Sequence, residues 1–199
     1  MRAALRHPAA WWALLLMGLM PLAWLVLQTV QDQLGANPAE ALIRATGDWT
    51  LRGLCVVLAV TPLRNLLGWP ELARFRRMLG LLVFAYASLH MLSYAWFDMG
   101  LDVVDTLQDI VKRPFIWLGF SAYVILLALA ATSFNRAMRW LGGRRWQLLH
   151  RGVYLVAVLA VLHFWWMRAG KQDFDEVLVY AAILAGLLGW RLLKMPRPI

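Results

Sequence analysis

Charge is scarce in this chain. Asp, Glu, Lys and Arg together make up 16% of its 199 residues, and 62% are hydrophobic. Soluble domains carry about a quarter charged residues and about half apolar ones, so an ordinary soluble domain is excluded. Cysteine is scarcer still, with Cys55 alone. One thiol makes no internal disulfide, no thiolate-rich metal site and no C-x-x-C-H attachment of a c-type haem. Inside an apolar run, Cys55 reads as a small buried hydrophobe. No G-x-G-x-x-G turn between a strand and a helix is present, which argues against a nicotinamide site. The polar stretches are too short to fold into a catalytic module. There are no repeats and no low-complexity runs.

What is abundant is apolar sequence in long blocks. Six segments stand out, roughly 9–28, 49–67, 78–97, 114–133, 147–167 and 176–194. Each approaches the roughly 20 residues that cross a bilayer as helix. In lipid the backbone must satisfy its own hydrogen bonds, so the expected fold is all-α: a polytopic bundle of six transmembrane helices. Arg2, Arg6 and His7 precede the first run as in a signal peptide, but no small-x-small cleavage pattern follows. The run reads as a retained first helix.

The net charge of +9 is spread in a telling way. Nucleic-acid binding would gather it on one polar face or tail, which is not seen. The amino-terminal tail carries Arg2 and Arg6. The first loop sets Asp32, Glu40 and Asp48 against Arg44. The second sets Arg64, Arg74, Arg76 and Arg77 against Glu71. The third sets Asp98, Asp102, Asp105 and Asp109 against Lys112 and Arg113. The fourth has Arg136, Arg139, Arg144 and Arg145 with no acid. The fifth mixes Arg168 and Lys171 with Asp173, Asp175 and Glu176, and the tail ends on Arg191, Lys194 and Arg197. Basic and acidic segments alternate without a break. The positive-inside rule then predicts both termini in the cytoplasm and an even number of spans. An error of one span would destroy the alternation. Most of the twelve tryptophans, among them Trp11, Trp12, Trp49, Trp69, Trp96, Trp117 and Trp146, fall near expected helix ends. An aromatic belt belongs there.

Three of the four histidines fall inside expected helices: His90 in the third, His150 and His163 in the fifth. His7 is a polar flank. Ionisable groups in a membrane are costly and usually functional, and imidazole is a common axial ligand of haem iron. A lone histidine would read as a hydrogen-bonded core residue. Three on two helices of the same direction point to b-type haem. By depth, His90 pairs with His163 towards the outer side. His150 comes well before His163 on the fifth helix, which sets it about 20 Å deeper at a rise of about 1.5 Å per residue. That offset predicts stacked sites, one per leaflet. Zinc or copper would want more ligands close together, and no clustered Cys, Asp or Glu accompanies these histidines.

The inner site, at His150, lacks a second histidine. Fourteen positions before His90 stands Arg76, and thirteen before stands Arg77. At one turn per 3.6 residues the first lies within about 40° of the face of His90, and the second is turned away by about 140°. A guanidinium makes a poor iron ligand but forks onto a carboxylate such as a haem propionate. Arg76 is the expected partner, with topology alone as the competing role for both arginines. Small residues (Gly80, Ala85, Ala87, Ser88, Gly152, Ala157) and flat ones (Phe84, Tyr86, Tyr94, Tyr154, Phe164) surround the histidines, although small residues also serve plain helix packing.

The segments VTPLRNLLG, RRMLGLLVFAYASLHMLSY, KRPFIWLGF and GGRRWQLLHRGVYLVAVLAVLHFWW carry a resemblance. The chain resembles the MsrQ (YedZ) family of haem-binding membrane subunits, within the ferric-reductase-like transmembrane group. The likeness covers almost the whole chain and implies one transmembrane haem domain over 1–199. It departs from the related oxidases in having one histidine, His90, on the third helix where they have two. The resemblance implies haem b, one or two per chain, with FMN left open. It implies a bacterial inner membrane and electrons drawn from quinone or a cytoplasmic flavin reductase. The partner it implies is an MsrP-like periplasmic molybdenum reductase that repairs methionine sulfoxide in envelope proteins. The outer acids Asp98, Asp102, Asp105, Asp109, Asp173, Asp175 and Glu176 would then face that partner. Competing readings are a free-standing ferric reductase or b-type cytochrome, a histidine-bearing transporter or proton channel, and a scaffold without cofactor.

Overall fold

A computed structural model of the chain describes residues 2–170 and 172–194, with no strand among them. Lys171 and Arg197, counted above among the charged flanks, lie outside the described residues, as does the side chain of Lys194. Among the described residues ten α-helices follow in order: α1 (Arg2–Arg6), α2 (Pro8–Val30), α3 (Pro38–Leu67), α4 (Arg76–Phe97), α5 (Val103–Lys112), α6 (Pro114–Ala131), α7 (Asn135–Leu141), α8 (Gly143–His150), α9 (Gly152–Ala169) and α10 (Asp175–Lys194). A 3-10 helix, Pro70–Phe75, leads into α4. Six helical spans among these residues are long and apolar enough to cross a membrane: α2, α3, the 3-10 helix with α4, α6, α8 with α9, and α10.

Three elements differ from the expectation. The second span begins at Pro38, not near residue 49. Asn37 caps it, its Oδ1 accepting from the Glu40 N–H at 3.1 Å while its Nδ2 donates to the Glu40 carboxylate at 3.3 Å. Proline at the first turn adds a preset φ. Glu40, Arg44 and Asp48 therefore ride on α3 instead of a loop, and Arg44 pairs with Glu40 one turn away. The third loop contains α5, capped by Asp102. It buries Thr106 and Ile110 and exposes Val103, Val104, Leu107 and Val111 along one side. In the fifth span Arg151 interrupts the helix: its N–H is shared between the Gln147 and Leu148 carbonyls, and its own carbonyl takes the Tyr154 N–H. His150 thus closes α8, and His163 belongs to α9.

α3 packs on α4, α6 on α9, and α10 on both α3 and α9, with α4 against α6 closing the bundle. Leu54, Leu58, Val83, Val156, Ala157 and Leu184 form its most buried layer. α2 lies outside, burying only Leu25 and exposing Trp12, Leu16, Met17, Met20 and Trp24. In lipid such a helix gains nothing from apolar burial and needs polar glue. Tyr86 of α4 supplies it, donating to the Gly18 carbonyl at 2.9 Å and accepting from the Leu22 N–H at 3.1 Å. Those are the two ends of one helical hydrogen bond, beside Pro21.

Side-chain contacts gather the basic segments at one end. Arg6 bonds Glu71, Arg74 bonds the Leu5 and Arg6 carbonyls, and Arg77 bonds Asn135. At the other end Arg168 binds Asp173 and Glu176, and Asp109 binds Tyr94 and Arg113.

Candidate functional site

Two cavities stack along the bundle, and Leu54 and Leu126 line both. The one at the acid-rich end contains His90 and His163. Their ring centroids are 6.2 Å apart and their planes cross at 76°. His90 Nδ1 donates to the Ile43 carbonyl of α3 at 2.8 Å, and His163 Nδ1 donates to the Phe115 carbonyl of α6 at 2.7 Å. A carbonyl only accepts, so each ring carries its proton on Nδ1 and keeps the Nε2 lone pair. This is the arrangement in which a metal-binding imidazole is held by its outer nitrogen.

The spacing tests what could bind there. Two metal–nitrogen bonds of about 2 Å, plus about 1 Å from each nitrogen to its ring centre, give a centroid separation of about 6 Å. The observed 6.2 Å is the centroid separation that one metal between two imidazoles needs. No group of three or more His, Cys, Asp or Glu able to hold a metal ion occurs among the described residues. An ion held by two protein ligands must bring its remaining donors, as a haem macrocycle does. Phe84 and Tyr123, stacked at 5.9 Å, stand nearby.

The cavity at the arginine-rich end is larger, about 510 Å³, within the range of cofactor pockets. His150, Arg76, Arg77, Arg151 and Tyr154 line it, and among the described residues no Asp or Glu does. Arg76 reaches Thr61 at 2.9 Å and Arg77 reaches Asn135 at 2.7 Å. Gly80 also lines it, and a Cβ there would meet open space. Gly152, by contrast, sits against Ile125 and serves helix packing. The fit is to a large group with anionic substituents. His150 is the lone histidine of this lining among the described residues. Its ring stacks on Trp146 at 4.0 Å, and its Nε2 lies 3.2 Å from the Thr132 hydroxyl. That hydroxyl gives its proton to the Ala128 carbonyl at 2.7 Å, so Nε2 donates to it. Metal binding through Nε2 would require His150 to leave Thr132.

The structure therefore brings His90 and His163 together and leaves His150 with Trp146 and Thr132. It brings both Arg76 and Arg77 to the inner cavity, although helix phase alone favours the first. Two further residues have roles that loop charge alone does not reveal. Asp48 lines the outer cavity with Arg44 and Arg168; the Asn37-Pro38-x-Glu40 cap was the signal that it is helical. Arg191 donates to Tyr154 Oη at 2.5 Å and to the Leu58 carbonyl at 2.8 Å, behind the inner cavity. Its place within the last apolar segment, not beyond it, was the available signal.

The ferric reductase like transmembrane component family matches residues 46–161, which include His90 and His150 but stop just short of His163. The chain is 64% identical over 187 residues to the "Protein-methionine-sulfoxide reductase heme-binding subunit MsrQ" of Polaromonas naphthalenivorans, covering 94% of this chain and 85% of that one. It is 54% identical to the protein of the same name from Herminiimonas arsenicoxydans, over 88% of this chain and 80% of that one. The like-named Bordetella parapertussis protein is 55% identical, over 87% of this chain and 84% of that one. No solved structure matches. With a family match across more than half its length and relatives this close across nearly all of it, the chain belongs to the MsrQ family within the ferric reductase like transmembrane components.

Proposed function

We propose that this chain is the haem b-bearing membrane subunit of a methionine-sulfoxide reductase system, carrying electrons across the bacterial inner membrane. One observation carries the reading: two imidazoles 6.2 Å apart, each with its Nδ1 on a carbonyl and its Nε2 free for iron. In the proposal His90 and His163 hold one haem. The inner cavity takes a second, with His150 on one side and Arg76 and Arg77 at the propionates. Haem bound there supplies one-electron carriage at two depths of the membrane. The residues themselves hold ligand geometry, neutralise propionates and exclude water.

The orientation follows from loop charge. The arginine-rich end faces the cytoplasm with both termini, and the acidic end faces the periplasm. The donor, quinol or a cytoplasmic flavin reductase with FMN, works at the arginine-rich end. The acceptor, an MsrP-like molybdenum reductase, docks at the other. The names of the relatives support haem binding and a methionine-sulfoxide reductase partner.

The test is the haem-to-protein ratio of the purified chain, with spectra before and after dithionite. Red protein with reduced Soret and alpha bands is expected. Folded protein without colour would overturn the proposal and leave a transporter or scaffold.

A further inference from the structure

Beside each histidine of the outer pair stands a glycine that the haem reading alone does not require. A Cβ at position 47 would lie 3.1 Å from both Nδ1 and Cε1 of His90. A Cβ at position 119 would lie 2.9 Å from Nδ1 and 3.0 Å from Cε1 of His163. The two sites share a register. His90 donates to the carbonyl of Ile43, four residues before Gly47; His163 donates to that of Phe115, four residues before Gly119. In an α-helix the carbonyl of residue n faces the N–H of residue n+4. The Cβ at n+4 tilts back towards the helix N-terminus, over that carbonyl. A side chain at n+4 thus crowds the approach to carbonyl n, and a glycine opens it.

We infer that Gly47 and Gly119 are positioning residues for the outer haem: each bares the one carbonyl that holds an iron-ligating histidine in its Nδ1–H tautomer and ring orientation. Both carbonyls already serve their own helices, so the histidine must approach from the side, where a Cβ at 119 would clash with the ring and one at 47 would crowd it. The device occurs twice, on α3 for His90 and on α6 for His163, so the outer ligand pair is set by helix backbone and not by side chains. This inference rests on the haem reading of His90 and His163.

Gly119→Ala, Gly47→Ala and Gly18→Ala test it in the full-length chain purified in detergent, with monodispersity as the check on folding. Gly18 is the control: its Cβ would strike the flexible tip of Leu82 at 2.6 Å, on α2 away from the histidines. The readouts are the low-spin electron paramagnetic resonance signal and the midpoint potential of the outer haem. Gly119→Ala should bind the outer haem roughly tenfold more weakly, the size expected when a ligand loses its outer hydrogen bond, and the low-spin signal should fall accordingly. Gly47→Ala, whose contact is looser, should shift the signal and potential less, and Gly18→Ala should leave both unchanged. If Gly119→Ala yields no folded protein, the shift in Gly47→Ala decides. Unchanged spectra and potentials in folded Gly119→Ala or Gly47→Ala would overturn the inference, as would an equal change in Gly18→Ala. Absence of low-spin haem from the unsubstituted chain would instead overturn the haem reading itself.

Discussion

Arg76 and Arg77 are adjacent in sequence and both line the inner cavity, yet they are tied to different helices: Arg76 bonds Thr61 of α3 at 2.9 Å and Arg77 bonds Asn135 of α7 at 2.7 Å. Both are first-turn residues of α4. Two guanidiniums tied to different helices at one cavity can each meet a carboxylate of a ligand that carries two.

Removing one of these cations should lower the midpoint potential of the inner haem, because a nearby positive charge favours the reduced, less positive iron. Arg76→Ala is expected to lower it by on the order of 60 mV, the one-electron equivalent of a tenfold change. A redox titration with spectral separation of the two haems measures this. Arg76→Lys should recover part of the shift, since the charge returns without the fork. A potential that does not move would remove Arg76 from the inner site.

The histidines should separate the two proposed haems. His90→Ala and His163→Ala are each expected to abolish the outer low-spin haem and spare the inner one. Each would leave its opposite imidazole alone and an iron position open. His150→Ala should do the reverse. Because His150 Nε2 is engaged by Thr132, the inner haem is expected to bind more weakly and to be lost first on dilution or imidazole competition. A haem-to-protein ratio unchanged in His150→Ala would mean one haem, held by His90 and His163 alone.

Much of the fold was legible because lipid imposes long uniform runs. Apolar blocks of bilayer length and the alternation of Arg-rich with acid-rich loops define six spans. The boundaries were less legible where two signals conflict. Glu40, Arg44 and Asp48 resemble a loop by charge, while Asn37 and Pro38 mark a helix start; the cap is the better guide, since a helix can project charges from its outer turns. α5 was hidden for a related reason. Asp98, Asp102, Asp105 and Asp109 mark the segment as an acidic loop, and only its spacing of Val103, Leu107 and Val111 reveals helical period. At the site, depth counting placed His90 level with His163, since one helix rise applies to both. The carbonyls of Ile43 and Phe115 were not legible, because a backbone oxygen carries no side-chain signature. Nor was the seat of His150 on Trp146 and Thr132, which depends on how α8 turns after residue 142.

Topology is directly testable. Reporter fusions after Asp105 and Asp173 should read as periplasmic, and fusions after Arg74, after Gly143 and at the carboxyl terminus as cytoplasmic. The contact of Arg6 with Glu71 and of Arg77 with Asn135 already joins three basic segments, so these must share a side. A carboxyl terminus found in the periplasm would require an odd number of spans and overturn the assigned orientation.

The acidic end is the expected docking face for the reductase partner, and the structure sorts its acids by availability. Asp109 is tied to Tyr94 at 2.6 Å and to Arg113 at 2.7 Å; Asp173 and Glu176 are tied to Arg168. Asp98, Asp102, Asp105 and Asp175 are exposed. Asp102 also caps α5 through the Asp105 N–H at 2.9 Å, so Asp102→Lys would confound a charge effect with a capping loss of about 1 kcal/mol. Asp102→Asn keeps the cap and removes the charge. Combined with Asp105→Lys, it should slow electron delivery to the purified reductase at low salt through a reduced association rate. The difference from the unsubstituted chain should shrink as ionic strength rises and screening takes over. Arg168→Ala would free Asp173 and Glu176 and should act in the opposite sense, raising the association rate at low salt. Equal rates for all three proteins at low salt would mean that these acids set topology and solubility and do not steer a partner.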